Sequence, residues 1–217
     1  LDASRVFVVA NKSSRRFVEG EGRLMDTLEG RGMLAAPLNC DIGMGGGEYG
    51  LLKACDEAYE AKADCVVTIG GGAIQDAGKL IRLWLSTRAA NEIKSGRDDN
   101  HDGEQMIKAT VKGIQAAQRQ DPMPTLPPQI ACPNSFAMAE LTHVAGITTT
   151  SKTKSGAAHP SPEPLMPTVV VFDPALSNGL PDWVRFGTAL RGVEHAVGAL
   201  CHPLANEEIR EQASSGL

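Results

Sequence analysis

The sequence predicts an α/β protein with a doubly wound parallel sheet. Short, continuously apolar runs such as Arg5–Ala10 are typical of strands buried on both faces. These runs alternate along the chain with segments of helical periodicity, which predicts a parallel sheet with helices on both faces. With 217 residues, 42% of them hydrophobic, the chain can bury a sizeable core.

The first third of the chain contains five predicted elements. The strand Arg5–Ala10 ends at a polar run that begins with Asn11. The others, in order, are a helix over Phe17–Arg31, a strand over Leu34–Ile42, a glycine loop at 43–47 and a helix over Glu48–Lys62, which is rich in good helix formers.

The clearest unit follows directly. Asp64–Ile69 is predicted as a buried strand, Gly70–Gly72 as a turn, and Ala73–Leu85 as a helix. The helix places apolar residues on one face at the spacing that a helix requires: Ile74, Ala77, Ile81 and Leu85.

The remainder divides into an edge insertion, two more strands and a helical tail. Residues 86–128 are polar and proline-rich, which predicts an insertion rather than a separate domain. Strands are predicted at Gln129–Cys132 and Thr168–Phe172. Pro181 is expected in the first turn of a helix that extends to Leu200, and 204–217 begin another helix. We therefore expect an α/β domain over 1–180 and the start of an all-α domain over 181–217.

Charge and cysteine content exclude several classes of partner. The formal net charge is −5 and no basic block is present, so nucleic acid and anionic membranes are not expected partners. No apolar run is long enough to span a bilayer. Five separated cysteines without a CxxC pair favour reduced thiols and a cytoplasmic protein. A small-molecule substrate is expected, and a homodimer is left open.

The glycine turn Gly70–Gly72 is the first candidate site. A glycine backbone at a helix N-terminus offers unpaired N–H groups, and no Cβ prevents a phosphate from approaching closely. The turn alone is equally compatible with a tight strand-to-helix connection that binds nothing.

Four segments together resemble the iron-containing alcohol dehydrogenase family. Gly70–Lys79 is similar to its GGGSxxDxxK motif, and Pro133–Thr142 is similar to its PTT…GSExT loop in the shorter spacing of maleylacetate reductases. Asp173–Leu176 with Leu180-Pro181 resembles its interdomain linker, and Arg191–Ala196 occupies the place of its metal-binding helix. The order of these motifs along the chain makes the resemblance specific.

The resemblance implies an NAD- or NADP-binding domain with the dehydroquinate-synthase-like architecture, followed by the first helices of the family's helical domain. The glycine turn would hold the pyrophosphate, and Asn11 stands where many relatives carry an aspartate that binds the adenosine ribose. Asn11 lacks the charge that would repel a 2′-phosphate, so NADP would be tolerated; an ordinary turn residue is the equal alternative. The remaining cofactor-binding positions implied are Asp76, Asn134, Ser135 and Thr142.

The metal-binding helix departs from the family's pattern. Arg191 stands at the position of the first metal-ligating aspartate, whereas His195, four residues later, matches the first histidine. The family's later metal-binding histidines lie in its helical domain, which this sequence does not contain. A guanidinium offers no lone pair, so we expect that no metal is held in the family's manner. Arg191 would instead supply the positive charge that stabilises the substrate oxygen, or clamp a substrate carboxylate, and His195 would donate a proton.

The function expected from the sequence is NAD(P)-dependent oxidation of an alcohol or reduction of a carbonyl, with Arg191 and His195 as catalytic residues. Two alternatives stay open. One is a dehydroquinate-synthase-like lyase, whose phosphate-binding basic residues are not recognisable here. The other is a non-catalytic nucleotide-binding remnant, which the early end of the chain favours.

Overall fold

A four-stranded parallel sheet forms the centre of the protein. The computed structural model describes residues 2–42, 48–91, 125–148, 154–158 and 165–217. The sheet has the strand order β1-β2-β3-β6, and its register places Val67 beside both Val8 and Ile130. The strands are β1 (Val6–Ala10), β2 (Cys65–Gly70), β3 (Gln129–Pro133), β4 (Val144–Thr148), β5 (Lys154–Ala158) and β6 (Val169–Val170).

Helices cover both faces of this sheet. Alternate side chains of β1 point to opposite faces, so Phe7 packs in one apolar cluster and Val8 in another. The first cluster includes α3 and α4, and the second includes α1 and α2. This arrangement confirms the predicted α/β, doubly wound fold. The helices are α1 (Arg15–Val18), α2 (Leu24–Gly30), α3 (Glu48–Glu60), α4 (Gly72–Asn91), α5 (Pro174–Ser177), α6 (Asp182–Cys201) and α7 (Glu207–Ser215).

Two predicted elements near the N-terminus are wrong. The helix predicted over Phe17–Arg31 is two short helices, because Gly20 and Gly22 between them adopt φ angles of +118° and +69°, which a helix does not allow. The segment Leu34–Ile42, predicted as a strand, pairs with β1 only at two isolated parallel bridges. Pro37 lies between those bridges and has no N–H to donate to a ladder.

Two further boundaries differ from the prediction, and one pair of strands was not predicted. The strand predicted over Thr168–Phe172 is reduced to Val169–Val170 at the sheet edge. Helix α4 runs past the predicted end to Asn91. The outer part of the predicted insertion, 92–124, lies outside the described residues, as does the glycine loop 43–47. The antiparallel pair of β4 and β5 was not predicted.

Helices α6 and α7 pack against each other after the sheet ends. Pro181 is the N-cap of α6 rather than its first helical residue, and Asn206 caps α7 through a side chain that accepts from Ile209 N at 2.9 Å. No helix in the described ranges combines the length and hydrophobicity that crossing a bilayer requires. Helix α6 leaves a row of large apolar side chains exposed: Trp183, Phe186, Leu190, Val193 and Val197.

Candidate nucleotide-binding site

The carboxyl ends of the three central strands bring candidate residues together. Asn11 follows β1, and its N–H donates to Ile69 O in β2 at 3.3 Å. Asn134 follows β3, and its N–H donates to Gly70 O at 3.1 Å. The Asn134 side chain also donates to the buried Oγ of Ser14 at 2.9 Å. Because all three strands are parallel, the residues after them share one edge of the sheet, where α/β proteins bind ligands.

The glycine turn lies at the middle of this edge. Helix α4 begins at Gly72, and the N–H groups of Gly71, Gly72 and Ala73 donate to no acceptor in the described part of the chain. A Cβ on Gly71 would lie 3.1 Å from Ser135 Oγ, and one on Gly72 would lie 3.0 Å from Ala137 Cβ. The turn therefore presents free donors in a space that larger side chains would close.

A buried hydrogen-bond network supports the turn from below. Thr68 Oγ1 donates to Gln75 Oε1 at 2.6 Å, and Gln75 Nε2 donates to Gly70 O at 2.9 Å. Gln129 Nε2 donates to Thr68 Oγ1 at 3.1 Å. These bonds connect α4, β2 and β3. The network fixes the carbonyl of Gly70, the residue at which the strand becomes the turn.

Close packing of α4 on the sheet depends on Gly78. A Cβ there would lie 2.5 Å from both Gln129 Nε2 and Thr68 Cγ2, well inside van der Waals contact. The absence of a side chain lets the helix axis approach the strands and brings its N-terminus to the sheet edge. The third glycine of dinucleotide-binding fingerprints has the same physical role.

Asp76 and Lys79 form an ion pair on α4 that faces the segment after β3. Lys79 is fully buried, and its Nζ lies 3.3 Å from Asp76 Oδ1. Burial lowers the pKa of Lys79, and the Asp76 carboxylate opposes that change. Burial raises the pKa of Asp76, opposed by the N–H of Gly146 and by Lys79. The Asp76 carboxylate thus has two protein partners, and its expected contact with a cofactor stays a prediction.

The loop after β3 connects this site to helix α6. The N–H of Phe136 donates to Thr188 Oγ1 at 3.2 Å. His195 lies seven residues after Thr188, and at 100° per residue the two are about 20° apart around the helix. Arg191 is about 60° from Thr188 by the same count. The face of α6 that touches the loop therefore also carries Arg191 and His195, both of which are exposed.

The structure brings together Asn11, the glycine turn, Asn134 and Ser135 at the sheet edge, and it places Thr142 beside Lys79. Among the described residues, no hydrogen bond or ion pair joins Arg191 or His195 to this group. Sequence reasoning missed four residues that shape the site: Ser14, Gln75, Lys79 and Thr188. Only Lys79 was marked out by the sequence, as the last residue of the segment Gly70–Lys79 that resembles the family's motif. Nothing in the sequence indicated which groups it binds.

The expected absence of a metal held in the family's manner stays a prediction, and the chemistry of Arg191 and His195 supports it. In the described ranges no three histidine, cysteine, aspartate or glutamate side chains are grouped as metal ligands would be. Arg191 lies one turn before His195, and its guanidinium contributes a positive charge without a lone pair. One imidazole beside a guanidinium is a poor donor set for a divalent ion.

The residues at the carboxyl edge of the sheet do fit a dinucleotide. Asn11 Oδ1 is buried and has no hydrogen-bond partner in the described part of the chain, so it can accept from a ribose hydroxyl once the side chain turns outward. The free N–H groups of the glycine turn and the positive end of α4 suit a pyrophosphate. Both features lie at the same edge of the sheet.

A parallel sheet with a glycine turn between a central strand and its helix defines the class of dinucleotide-binding α/β domains. The model of the iron-containing alcohol dehydrogenase family matches residues 2–174. The chain belongs to that family. The resemblance drawn from the four sequence motifs is thereby confirmed.

Individual relatives are distant. The chain is 29% identical over 164 residues to the dehydrogenase FUM7 of Gibberella moniliformis, covering 75% of this chain and 35% of that protein. It is 29% identical over 150 residues to a maleylacetate reductase of Rhizobium sp., covering 68% of this chain and 30% of that protein. The fold is similar to the structure of an NADH-dependent butanol dehydrogenase of Thermotoga maritima, with a TM-score of 0.71 at 17% identity. The match covers 98% of this chain and 48% of that one. The chain thus spans about a third of these curated relatives and half of the solved structure.

Proposed function

We propose that this chain is the nucleotide-binding part of an NAD(P)-dependent oxidoreductase that acts on an alcohol or carbonyl substrate. The observation that carries the proposal is the glycine turn, whose unpaired N–H groups lie at the carboxyl edge of the sheet. Membership of the family supports it. A bound nicotinamide would supply or accept hydride.

The protein's part is to bind and orient the cofactor. The N–H groups of Gly71 and Gly72 bind the pyrophosphate, and Asn11 binds the adenosine ribose at the end of β1. Asn134 and Ser135 lie beside the turn, where they line the cofactor. Thr142 completes this lining from the segment held by Lys79. Phe136–Ala139 makes the nicotinamide side apolar, which excludes water from the hydride path.

Arg191 and His195 act on the substrate. They share the face of α6 whose Thr188 binds the loop after β3. The planar guanidinium of Arg191 can bind a carboxylate through two parallel hydrogen bonds. His195 can donate a proton to the oxygen that gains charge during reduction. One relative is named a maleylacetate reductase, and a carboxylate-bearing substrate suits Arg191.

Titration with NADH, followed by its fluorescence, tests the cofactor site. We expect the parent chain to bind and Gly71→Val to lose at least about tenfold in affinity, because the branched side chain enters the pyrophosphate path and collides with Ser135. Gly198→Val is the matched control, since Gly198 lies in α6 with open space around it. Parent-like binding by a folded Gly71→Val variant would show that the site is assigned wrongly.

Turnover is tested separately with a panel of aldehydes, ketones and 2-oxo acids, followed by NADPH or NADH absorbance. Oxidation of the cofactor that His195→Ala abolishes supports the catalytic assignment. Tight binding with no turnover in the whole panel would favour a non-catalytic nucleotide-binding protein.

A further inference from the structure

Lys79 binds both ends of one short segment. Its Nζ donates to Ala139 O at 2.7 Å and to Val144 O at 2.7 Å. Between these two carbonyls, Thr142 Oγ1 lies 3.1 Å from the same Nζ. An ammonium has three N–H groups and no acceptor, and here oxygen atoms surround it. Lys79 therefore holds the two ends of the segment 139–144 together.

Asp76 extends this attachment to the following strand. One carboxylate oxygen lies 3.3 Å from Lys79 Nζ, and the other accepts from Gly146 N at 3.0 Å. Asp76 lies four residues after the first residue of α4, which is about 6 Å along the helix axis from the glycine turn. The pair therefore connects the segment 139–146 to the part of α4 that holds the turn.

We propose that Lys79 and Asp76 are positioning residues that preform the nicotinamide side of the cofactor site. They fix the segment 139–146, with Thr142 on it, relative to the glycine turn on the same helix. The inference rests on the proposed function, because it assigns the segment to one half of a dinucleotide. Lys79 acts through the loop in this arrangement, and Asp76 acts through Gly146 in addition to the cofactor contact that is expected of it.

The effect of Lys79 on the position of the segment can be separated from its effect on the stability of the fold, because α4 carries a second buried cation away from the site. Arg82 lies one turn beyond Lys79 and donates to Pro127 O and to Met166 O at 3.1 Å. Burial lowers the pKa of Arg82 to about 10. Its partners lie before β3 and before β6, at the opposite edge of the sheet from the glycine turn. Arg82→Met thus removes a buried cation without touching the segment 139–146.

The experiment compares dissociation constants for two ligands on the 217-residue chain. NADH requires both halves of the site, whereas ADP requires only the adenosine and pyrophosphate half. Lys79→Met removes the ammonium that binds the carbonyls of Ala139 and Val144 and leaves them only the longer hydrogen bonds from Thr142, so the segment shifts. We expect the affinity for NADH to fall at least about tenfold and that for ADP to change less than about threefold. All titrations use a temperature at which circular dichroism shows each variant folded.

Arg82→Met is expected to lower the melting temperature but to change both affinities little. Lys79→Gln offers two N–H donors in place of three and removes the charge, so a smaller selective loss of NADH affinity is expected from it. This variant also tests the inference if Lys79→Met does not fold. Unchanged NADH affinity, or equal losses of NADH and ADP affinity, would overturn the inference. A parent chain that binds neither ligand would instead overturn the proposed function.

Discussion

The backbone N–H of Phe136 donates to Thr188 Oγ1 at 3.2 Å, and Thr188 Oγ1 donates in turn to Val184 O at 2.7 Å. This contact joins the loop after the third strand of the sheet to helix α6. It determines which face of that helix points to the nucleotide-binding edge. The exposed apolar row of the same helix, which includes Leu190, lies roughly opposite at 100° per residue.

Thr188→Val should remove the hydrogen bond between the loop after β3 and helix α6. Valine has nearly the same shape but cannot accept from Phe136 N, so we expect a loss of about 1 kcal/mol in the free energy of unfolding. Urea denaturation measures this loss. Thr188→Ser keeps the hydroxyl and is expected to stay within about 0.5 kcal/mol of the parent. Equal losses from both variants would mean that the hydroxyl contributes nothing.

Gly78→Ala and Gly198→Ala should have opposite effects. At Gly78 the new methyl group collides with Gln129 and Thr68, and overpacking of this kind costs about 1–3 kcal/mol. At Gly198 it meets no atom within 4 Å, and alanine in an open helix stabilises by about 0.5–1 kcal/mol. Thermal unfolding measures both changes. A neutral Gly78→Ala variant would contradict the close packing of α4 on the sheet.

Asn11→Asp should weaken the binding of NADPH but not that of NADH. A carboxylate at the ribose position repels a 2′-phosphate by about 1–4 kcal/mol at 4 Å, so NADPH affinity should fall at least about tenfold while NADH affinity is retained. Fluorescence titration measures both affinities. Asn11→Ala is the matched control, because it removes the amide without adding charge. If Asn11→Asp weakens both cofactors equally, Asn11 does not face the ribose.

The N-terminal ends of β1 and β2 are held together by Asp64, and this contact should depend on pH. Its carboxylate accepts from Ser4 Oγ at 2.7 Å and from Arg5 N at 2.8 Å. Burial alone would raise the pKa of Asp64, but these hydrogen bonds outweigh it and leave the pKa lowered. The pKa of Asp64 is therefore lower in the folded protein than in the unfolded chain, where it is about 3.9. The ionised carboxylate stabilises the fold fully above that pH, and this stabilisation is lost as the pH falls through the folded pKa.

Asp64→Asn should therefore lower the free energy of unfolding by about 1–3 kcal/mol at neutral pH. Denaturation at a series of pH values checks the window: the difference between parent and variant should shrink as the pH falls below about 4. A difference that stays constant down to pH 2 would rule out a contribution from the ionised carboxylate.

Elemental analysis of dialysed protein tests the expectation about metal. Arg191 has no lone pair to offer, so we expect far less than one iron or zinc per chain. Near-stoichiometric metal that is lost on His195→Ala would refute this expectation. Glu194→Gln is a useful companion variant, because a shifted helix register would bring Glu194 to the ligand position.

Local sequence was sufficient where one segment contains all the information. The strand–Gly70–Gly72–helix unit was predicted correctly, because continuous apolarity, a glycine turn and helical periodicity are all properties of neighbouring residues. The same approach failed for Phe17–Arg31, since apolar spacing does not reveal the left-handed backbone at Gly20 and Gly22. It also failed for β4 and β5, which within the described ranges pair only with each other.

The sequence by itself determined the parallel sheet and its central glycine turn, because apolar runs, glycines and helical periodicity are properties of neighbouring residues. Only the tertiary structure decided what Lys79 and Thr188 do. Lys79 binds a carbonyl 60 residues later in the chain, and Thr188 binds a backbone N–H 52 residues earlier. A buried ammonium can pair with any carbonyl that packing brings within reach, and local pattern does not specify which one that is.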